Sequence, residues 1–222
     1  MKRQISLNEI SDGRLYGIND MVRADCKDCE GCSACCHGMG NTIVLDPYDI
    51  YRLTTNLHQN FESLMQEAIE LSMVDGTILP NLRLAGEQEA CFFLDASGRC
   101  SIHPYRPGIC RLFPLGRYYE NGGFQYFLQI HECQKQNRSK IKVRKWIDTP
   151  EISRYEQYVT DWHYFLIDIQ EQIAQNAEAA FAKEINLYVL QIFYMTPYQE
   201  GDFYSQFYER FEKAKEKSEK SN

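Results

Sequence analysis

The sequence predicts an α+β fold, with an irregular cysteine-rich region of short antiparallel strands packed on helices and followed by a helical C-terminal half. Short apolar runs broken by Gly, Pro and Asn between Gly76 and Ile130 predict small strands and turns, and apolar residues at steps of three and four after Pro150 predict amphipathic helices. We therefore expect a cysteine-cluster domain at residues 1–145 and a helical extension at 146–222. With 222 residues, 44% of them hydrophobic, the chain is long enough to bury a core.

The first part of the chain is predicted to form a loop followed by two helices. Small, charged and sulfur-bearing residues from Cys26 to Gly40 indicate a loop, and residues 42–45 indicate a short strand. Asp46 followed by Pro47 is the pattern of an N-cap and a first helical residue, which predicts a helix to about residue 57. Apolar residues at helical spacing predict a second helix from residue 60 or 61 to about residue 72.

The later elements are predicted from a turn signal and from helical periodicity. Asn121 and Gly122 lie between two apolar runs, which indicates a β-hairpin. Three helices are expected after it, at about residues 152–173, about 177–195, and from residue 203 to near 211. The lysine-rich end that follows the third helix is expected to be solvated.

The composition argues against several classes of partner. A net charge of -7 argues against nucleic acid, because proteins that hold phosphate backbones carry a basic surplus. The N-terminus meets Asn8, Glu9 and Asp12 before any apolar signal region forms, and no stretch approaches the roughly 18 apolar residues of a membrane span. We therefore expect a cytoplasmic protein with no membrane partner. In that compartment the nine cysteines stay reduced, which favours a metal or redox site over disulfides.

The strongest local signal is a run of five cysteines within eleven residues, Cys26-x2-Cys29-x2-Cys32-x2-Cys35-Cys36. Cysteines at x2 spacing chelate one ion because the intervening turn brings both sulfurs to the same side. The run suits zinc, and it also has the spacing of the bacterial ferredoxin motif, although His37 stands where that motif has proline. Adjacent side chains such as Cys35 and Cys36 diverge, so we expect more than one ion or a multinuclear cluster. The expected cofactor is zinc or iron, the latter as an ion or in an iron–sulfur cluster.

A second group of cysteines follows, at Cys91, Cys100, Cys110 and Cys133. Prolines around Cys110 stiffen its loop, which lowers the entropy lost when a metal binds. Arg106 and Arg111 either offset the charge of nearby thiolates or are ordinary surface arginines. Three histidines lie within three residues of a cysteine and are either imidazole ligands or solvated side chains: His37, His103 and His131.

Taken in order, these motifs resemble a known family. The matching elements are Cys29-x2-Cys32-x2-Cys35-Cys36, Cys91-Phe92-Phe93-Leu94, Gly98-Arg99-Cys100-Ser101-Ile102 and Arg106-Pro107-Gly108-Ile109-Cys110-Arg111-Leu112-Phe113-Pro114. They resemble the zinc- or iron-chelating domain named for its CxxCxxCC motif, also called the YkgJ-type cysteine cluster family, over about residues 26–133. Flagellin lysine N-methylases share this cysteine domain. The resemblance therefore implies metal binding, with catalysis as an alternative.

The chain departs from the family pattern at three positions. Phe92 stands where the family usually has proline, His103 stands where it has tyrosine, and Cys26 lies outside the core motif. The candidate metal ligands are Cys26, Cys29, Cys32, Cys35, Cys36, Cys91, Cys100, Cys110 and Cys133.

Three kinds of function fit these ligands. The first is a metal-binding protein whose thiolates coordinate zinc or an iron–sulfur cluster. The second is a metal-dependent enzyme that modifies a protein side chain, as in the methyl transfer of the flagellin methylases. The third is a partner-binding protein in which the metal only folds the loops. The expected partners are a metal ion and a protein substrate or partner.

Overall fold

The computed structural model describes residues 6–27, 29–135, 137–176 and 178–220. The chain forms two compact units. The helical unit consists of Val44–Arg83 and Asp161–Asn222, and the cysteine unit consists of Lys2–Ile43 and Leu84–Thr160. All nine cysteines belong to the cysteine unit. The domain boundary expected after residue 145 stays a prediction.

Helices and short antiparallel strands alternate along the chain, which confirms the α+β class. In chain order the elements are α1 Leu7–Ile10, β1 Ser11–Tyr16, β2 Met21–Asp25, α2 Pro47–Leu57, α3 Phe61–Glu67, β3 Ile69–Val74, β4 Thr77–Leu82, β5 Leu84–Ala85, β6 Ala90–Cys91, α4 Gly108–Leu112, β7 Leu115–Glu120, β8 Gly123–Gln129, β9 Ser139–Lys142, α5 Val143–Ile147, α6 Ile152–Gln175, α7 Ala179–Leu190 and α8 Phe203–Lys220. Two 3-10 turns, Ala34–Cys36 and His103–Tyr105, and one π-helical turn, Gln191–Met195, complete the described elements.

The cysteine unit is built on three small antiparallel sheets. Strands β1, β8 and β7 form one sheet in that order, while β2 pairs with β9 and β5 pairs with β6. The predicted hairpin is confirmed as β7 and β8, because Asn121 and Gly122 have φ values of 53° and 75°, as the tight turn requires. The core of this unit includes Val22, Ala24, Ile102, Leu112, Leu115, Tyr126, Val143, Trp146, Tyr155 and Tyr158.

The helical unit buries an aromatic core. Trp162 contacts the rings of Phe193 and Phe207 at centroid distances of 5.0 and 6.1 Å, and all three side chains are buried. The predicted start of α2 is confirmed, because Asp46 caps the helix by accepting the backbone N–H of Asp49. Among the described residues no helix is long and apolar enough to cross a bilayer.

Two predictions for the helical unit are wrong. The second early helix ends at Glu67, and residues 69–74 form strand β3 instead of continuing the helix to residue 72. The reason is long-range pairing: β3 pairs with β4 across a turn in which Asp75 and Gly76 have positive φ values of 49° and 90°. The strand predicted at 42–45 is reduced to a bridge between Val44 and Asn81.

The C-terminal helices follow the prediction with altered ends. Helix α6 covers the expected stretch, and α7 begins at Ala179 and passes into the π-helical turn at Gln191. Ala177, where the second of these helices was predicted to begin, lies outside the described residues. The third helix begins at Phe203 as expected but continues to Lys220, so the end predicted near residue 211 is wrong. Strands β1 and β2 and the short helix α4 were not predicted.

Candidate metal centre

The first cysteine segment forms the predicted loop between β2 and α2. The Sγ atoms of Cys26 and Cys29 lie 3.5 Å apart. Two sulfurs bound to one tetrahedral zinc ion at roughly 2.3 Å lie about 3.8 Å apart, so this pair fits a single ion closely. The turn that brings them together places Lys27 and Cys29 in the left-handed region, at φ values of 55° and 58°. The segment ends in the 3-10 turn that carries Cys35 and Cys36.

A backbone connection brings this loop to the second cysteine segment. His37 forms an antiparallel bridge with Ala90, and the N–H of Gly38 donates to the carbonyl of Glu89 at 3.1 Å. Because Cys36 precedes His37 and Cys91 follows Ala90, the bridge places the two cysteines next to each other in space.

A closed loop brings Cys100 close to Cys91. Leu94 and Cys100 form an antiparallel bridge, and the carboxylate of Asp95 accepts the backbone N–H groups of Ser97 and Arg99, both at 2.9 Å. Such self-contained Asp turns fix loop geometry through local hydrogen bonds. The loop therefore returns Cys100 toward Cys91.

The thiols of these two segments shift one another's pKa values. The Cys36 thiol donates to the Cys35 sulfur, which lowers the pKa of Cys35 to about 7. The same hydrogen bond, together with burial and the nearby Cys91 and Cys100, raises the pKa of Cys36. Burial raises the pKa of both Cys91 and Cys100. The structure therefore gathers Cys35, Cys36, Cys91 and Cys100 into one group.

Cys29 joins the first pair to this group. Burial, followed by the neighbouring Cys26, raises its pKa to about 12, and Cys35 adds to the effect. We call the six thiols of Cys26, Cys29, Cys35, Cys36, Cys91 and Cys100 the thiol cluster. Thiolates are the ligands that zinc and iron–sulfur centres prefer, so the donor set suits both metals.

The two arginines that the sequence singled out have different surroundings. Arg106 is buried at 8% exposure, and its charge acts on the thiols of Cys29, Cys35 and Cys100. Arg111 is also buried, but it donates to the carbonyls of Pro104 and Asp148 at 2.6 and 3.1 Å. Neither is an ordinary surface arginine. The structure therefore distinguishes Arg106, whose charge acts on the thiol cluster, from Arg111, which hydrogen-bonds to the backbone of two loops.

The remaining candidate cysteines lie on separate segments. Cys110 lies in α4, and Cys133 follows β8. Lys135 donates to the carbonyl of Glu30 at 3.1 Å, which brings the segment of Cys133 toward the first loop. For Cys32 and Cys133, the described part of the chain contains no hydrogen-bond partner of the thiol. The ligand roles of these cysteines stay predictions.

The three histidines are placed differently from one another. Nε2 of His103 lies 2.6 Å from Nη1 of Arg106, and because a guanidinium only donates, this nitrogen accepts. His37 forms the backbone bridge described above, and His131 is exposed. Their roles as ligands also stay predictions.

All nine cysteines are reduced. Within residues 6–27, 29–135, 137–176 and 178–220, no three Cys, His, Asp or Glu side chains form a group that could hold an ion as they stand. If these thiols are the ligands, they would have to move closer together around an ion, as is common when metal binding is coupled to local folding.

The fold and the cluster together define a small cysteine-rich metal-chelating domain. Residues 28–134 match the model of the family CxxCxxCC, described as "Putative zinc- or iron-chelating domain". The match confirms the resemblance of this stretch to a CxxCxxCC zinc- or iron-chelating domain, while the link to the YkgJ name and to the flagellin methylases stays a prediction. The match includes every cysteine except Cys26. No curated protein and no solved structure matches the chain.

Proposed function

We propose that the protein binds zinc or iron through thiolates drawn from both cysteine segments, with Cys36 and Cys91 at the junction. The observation that carries the proposal is the backbone bridge between His37 and Ala90, which brings these two cysteines together. The family of residues 28–134, described as zinc- or iron-chelating, supports the same function.

The thiol cluster contains more sulfur than one ion needs. A structural zinc site uses four ligands, whereas the thiol cluster has six thiols drawn from the two cysteine segments. Within this cluster, the Sγ atoms of Cys26 and Cys29 lie 3.5 Å apart, which is a spacing that suits one ion. We therefore propose more than one ion or a multinuclear centre, since a single tetrahedral ion leaves two thiols over.

The first test is the metal content of protein purified without oxygen. Iron with an equal amount of acid-labile sulfide identifies an iron–sulfur cluster, and zinc without sulfide identifies a thiolate zinc centre. Either result supports the proposal. Protein that is folded by circular dichroism yet holds neither metal, and takes up neither on reconstitution, overturns it.

The ligand junction is tested by Cys36→Ser combined with Cys91→Ser. We expect this double variant to lose most of the bound metal while it keeps its helical circular dichroism, because none of the longest helices carries a cysteine. The matched control is Ser33→Ala with Ser101→Ala, which changes one hydroxyl in each segment and no thiol. Full metal content in the cysteine double variant would show that the junction lies elsewhere.

A further inference from the structure

Arg106 is a buried cation in the cysteine unit. The residue follows the 3-10 turn His103–Tyr105 and is only 8% exposed. Its Nη1 donates to Nε2 of His103 at 2.6 Å, while its Nε is buried and has no hydrogen-bond partner among the described residues. A buried charge costs several kcal/mol unless an opposite charge or hydrogen bonds compensate it.

The usual compensation, a carboxylate, is missing in the part of the chain that the structure describes. None of the ion pairs there includes Arg106. Arg106 instead lies beside the cysteines: the backbone N–H of its partner His103 donates to the carbonyl of Cys100 at 3.2 Å. The charge of Arg106 reaches the thiols of Cys29 and Cys35. The groups near Arg106 that become anions when a metal displaces their protons are therefore the thiols of the cluster.

We propose that Arg106 is the internal counter-cation of the metal centre and that it selects a centre ligated by thiolates. The inference rests on the proposed function. A divalent ion bound by four thiolates carries a net charge of −2, and a guanidinium beside it offsets part of that charge. A neutral imidazole ligand would leave less negative charge to balance Arg106.

His103 fits the same arrangement. Because its Nε2 accepts from Arg106, this nitrogen is occupied by the arginine and does not face a metal. The Nε–H of Arg106 is left as a donor for a charged sulfur, and hydrogen bonds to charged acceptors are stronger than neutral ones. Arg106 therefore acts on the metal through the ligands and is a positioning residue, not a ligand.

The test compares Arg106→Gln and Arg106→Lys with Arg14→Gln, which removes the same charge from an exposed residue on β1. Zinc affinity is measured by competition with a chromogenic chelator. Loss of a residue that supports metal ligands typically lowers affinity by roughly 10- to 100-fold. We expect a loss of that size for Arg106→Gln, a smaller loss for Arg106→Lys because the charge is kept, and no more than about a twofold change for the control.

A spectroscopic readout separates this role from a merely structural one. With cobalt in place of zinc, the sulfur-to-metal absorption band reports the thiolates around the ion. We expect the band to weaken in Arg106→Gln and to be kept in Arg106→Lys. Wild-type affinity and an unchanged band in Arg106→Gln overturn the inference and leave the proposed function standing.

Two further outcomes distinguish failure of this inference from failure of the proposed function. Wild-type protein that binds no metal overturns the proposed function itself, and the inference falls with it. If Arg106→Gln does not fold, Arg106→Lys carries the test. A folded Arg106→Lys that loses all zinc would show that charge is not what Arg106 supplies, whereas retained zinc supports the inference.

Discussion

The backbone N–H of Gly38 donates to the carbonyl of Glu89 at 3.1 Å. This hydrogen bond belongs to the short bridge that joins the two cysteine segments, between residues that are far apart in the chain. Cys36 lies just before the bridge on one side, and Cys91 lies just after it on the other. The backbone of neighbouring residues, and not the cysteines themselves, therefore positions the junction of the thiol cluster.

Gly38→Pro tests this dependence. Proline removes the N–H that Glu89 accepts, and its fixed negative φ conflicts with the value of 64° at Gly38. We expect zinc affinity to fall by at least about tenfold, as it does when other groups that hold metal ligands in position are removed. The measurement is chelator competition in protein that keeps its helical circular dichroism.

Gly40→Pro is the matched control. Gly40 also has a positive φ, 54°, but its N–H makes no hydrogen bond among the described residues. Both variants place a proline at a residue with positive φ, and only Gly38→Pro removes a hydrogen bond between the cysteine segments. Equal losses of affinity in the two variants would mean that strain, and not the bond to Glu89, is responsible.

The pH dependence of metal binding should be set by the protonation of the cluster thiols. Burial raises the pKa of Cys29 to about 12, and the pKa values of Cys36, Cys91 and Cys100 are also raised, so these thiols hold their protons at neutral pH. A metal binds thiolates and must displace those protons, so affinity rises as pH rises and falls on acidification. Each proton released gives roughly tenfold in affinity per pH unit.

Chelator competition at pH 6, 7 and 8 measures this slope, and calorimetry in buffers of different ionisation enthalpy counts the protons. We expect two or more protons per ion, because most thiols of the cluster are protonated before binding. An affinity that is constant across this range would contradict a site made of these thiols.

How much of the cluster could be predicted depends on the distance along the chain between interacting residues. The x2 spacing from Cys26 to Cys36 is a local feature. It correctly indicated a loop, in which the Sγ atoms of Cys26 and Cys29 lie 3.5 Å apart. The contact between this loop and Cys91 depends on backbone pairing at His37, which has no sequence signature. Arg106 and Arg111 likewise look equivalent in the sequence, because their difference lies in the groups that surround them after folding.

The same distinction explains the fold. The β7–β8 hairpin was predicted because Asn121 and Gly122 encode its turn locally. Strand β1 was missed because its partner is β8, more than a hundred residues later in the chain. The segment after Glu67 has helical spacing of apolar residues, yet pairing with β4 outweighs this weak local preference.

Gly116 is predicted to be necessary for packing in the three-stranded sheet of the cysteine unit. It lies opposite Phe127 in the β7–β8 pair, and a Cβ at Gly116 would lie 2.5 Å from Cε1 of that ring. We expect Gly116→Ala to lower the free energy of unfolding by about 1–3 kcal/mol, because the buried ring must shift. Gly123→Ala in the same hairpin is the control, since its added Cβ meets nothing within 4 Å. Chemical denaturation compares the two, and equal stability would contradict the overlap.

Asn186 is predicted to stabilise the helical unit by satisfying the backbone of β4. Its side chain is 3% exposed, accepts the N–H of Ile78 at 2.6 Å and donates to the carbonyl of Gly76 at 3.2 Å. Asn186→Ala leaves these buried groups without partners, so we expect a loss of about 1–3 kcal/mol. The control is Asn56→Ala, because Asn56 is exposed and bonds only within its own helix. A loss at Asn186 no larger than at Asn56 would contradict this role.

Tyr155 is predicted to stabilise a second cation of the cysteine unit, the half-buried Arg117, whose Nε is buried. Nη2 of Arg117 donates to the Tyr155 hydroxyl at 3.1 Å, and the guanidinium lies 5.5 Å from the centre of the same ring. Tyr155→Phe keeps the ring but removes the acceptor, and hydrogen bonds to charged groups contribute about 1.5–3 kcal/mol. We expect thermal and urea denaturation to show a loss of that size in the metal-free protein.

Tyr118→Phe is the control for this last variant, because Tyr118 lies on the same strand as Arg117 and is 39% exposed. Its hydroxyl is solvated, so its loss should change stability by no more than about 0.5 kcal/mol. The comparison also separates the roles of Arg117 and Arg106 in the cysteine unit. Arg117 is balanced by aromatic side chains and hydroxyls, so Tyr155→Phe should lower stability without lowering zinc affinity, whereas Arg106→Gln should lower zinc affinity. A loss of zinc affinity in Tyr155→Phe would show that the two arginines are coupled.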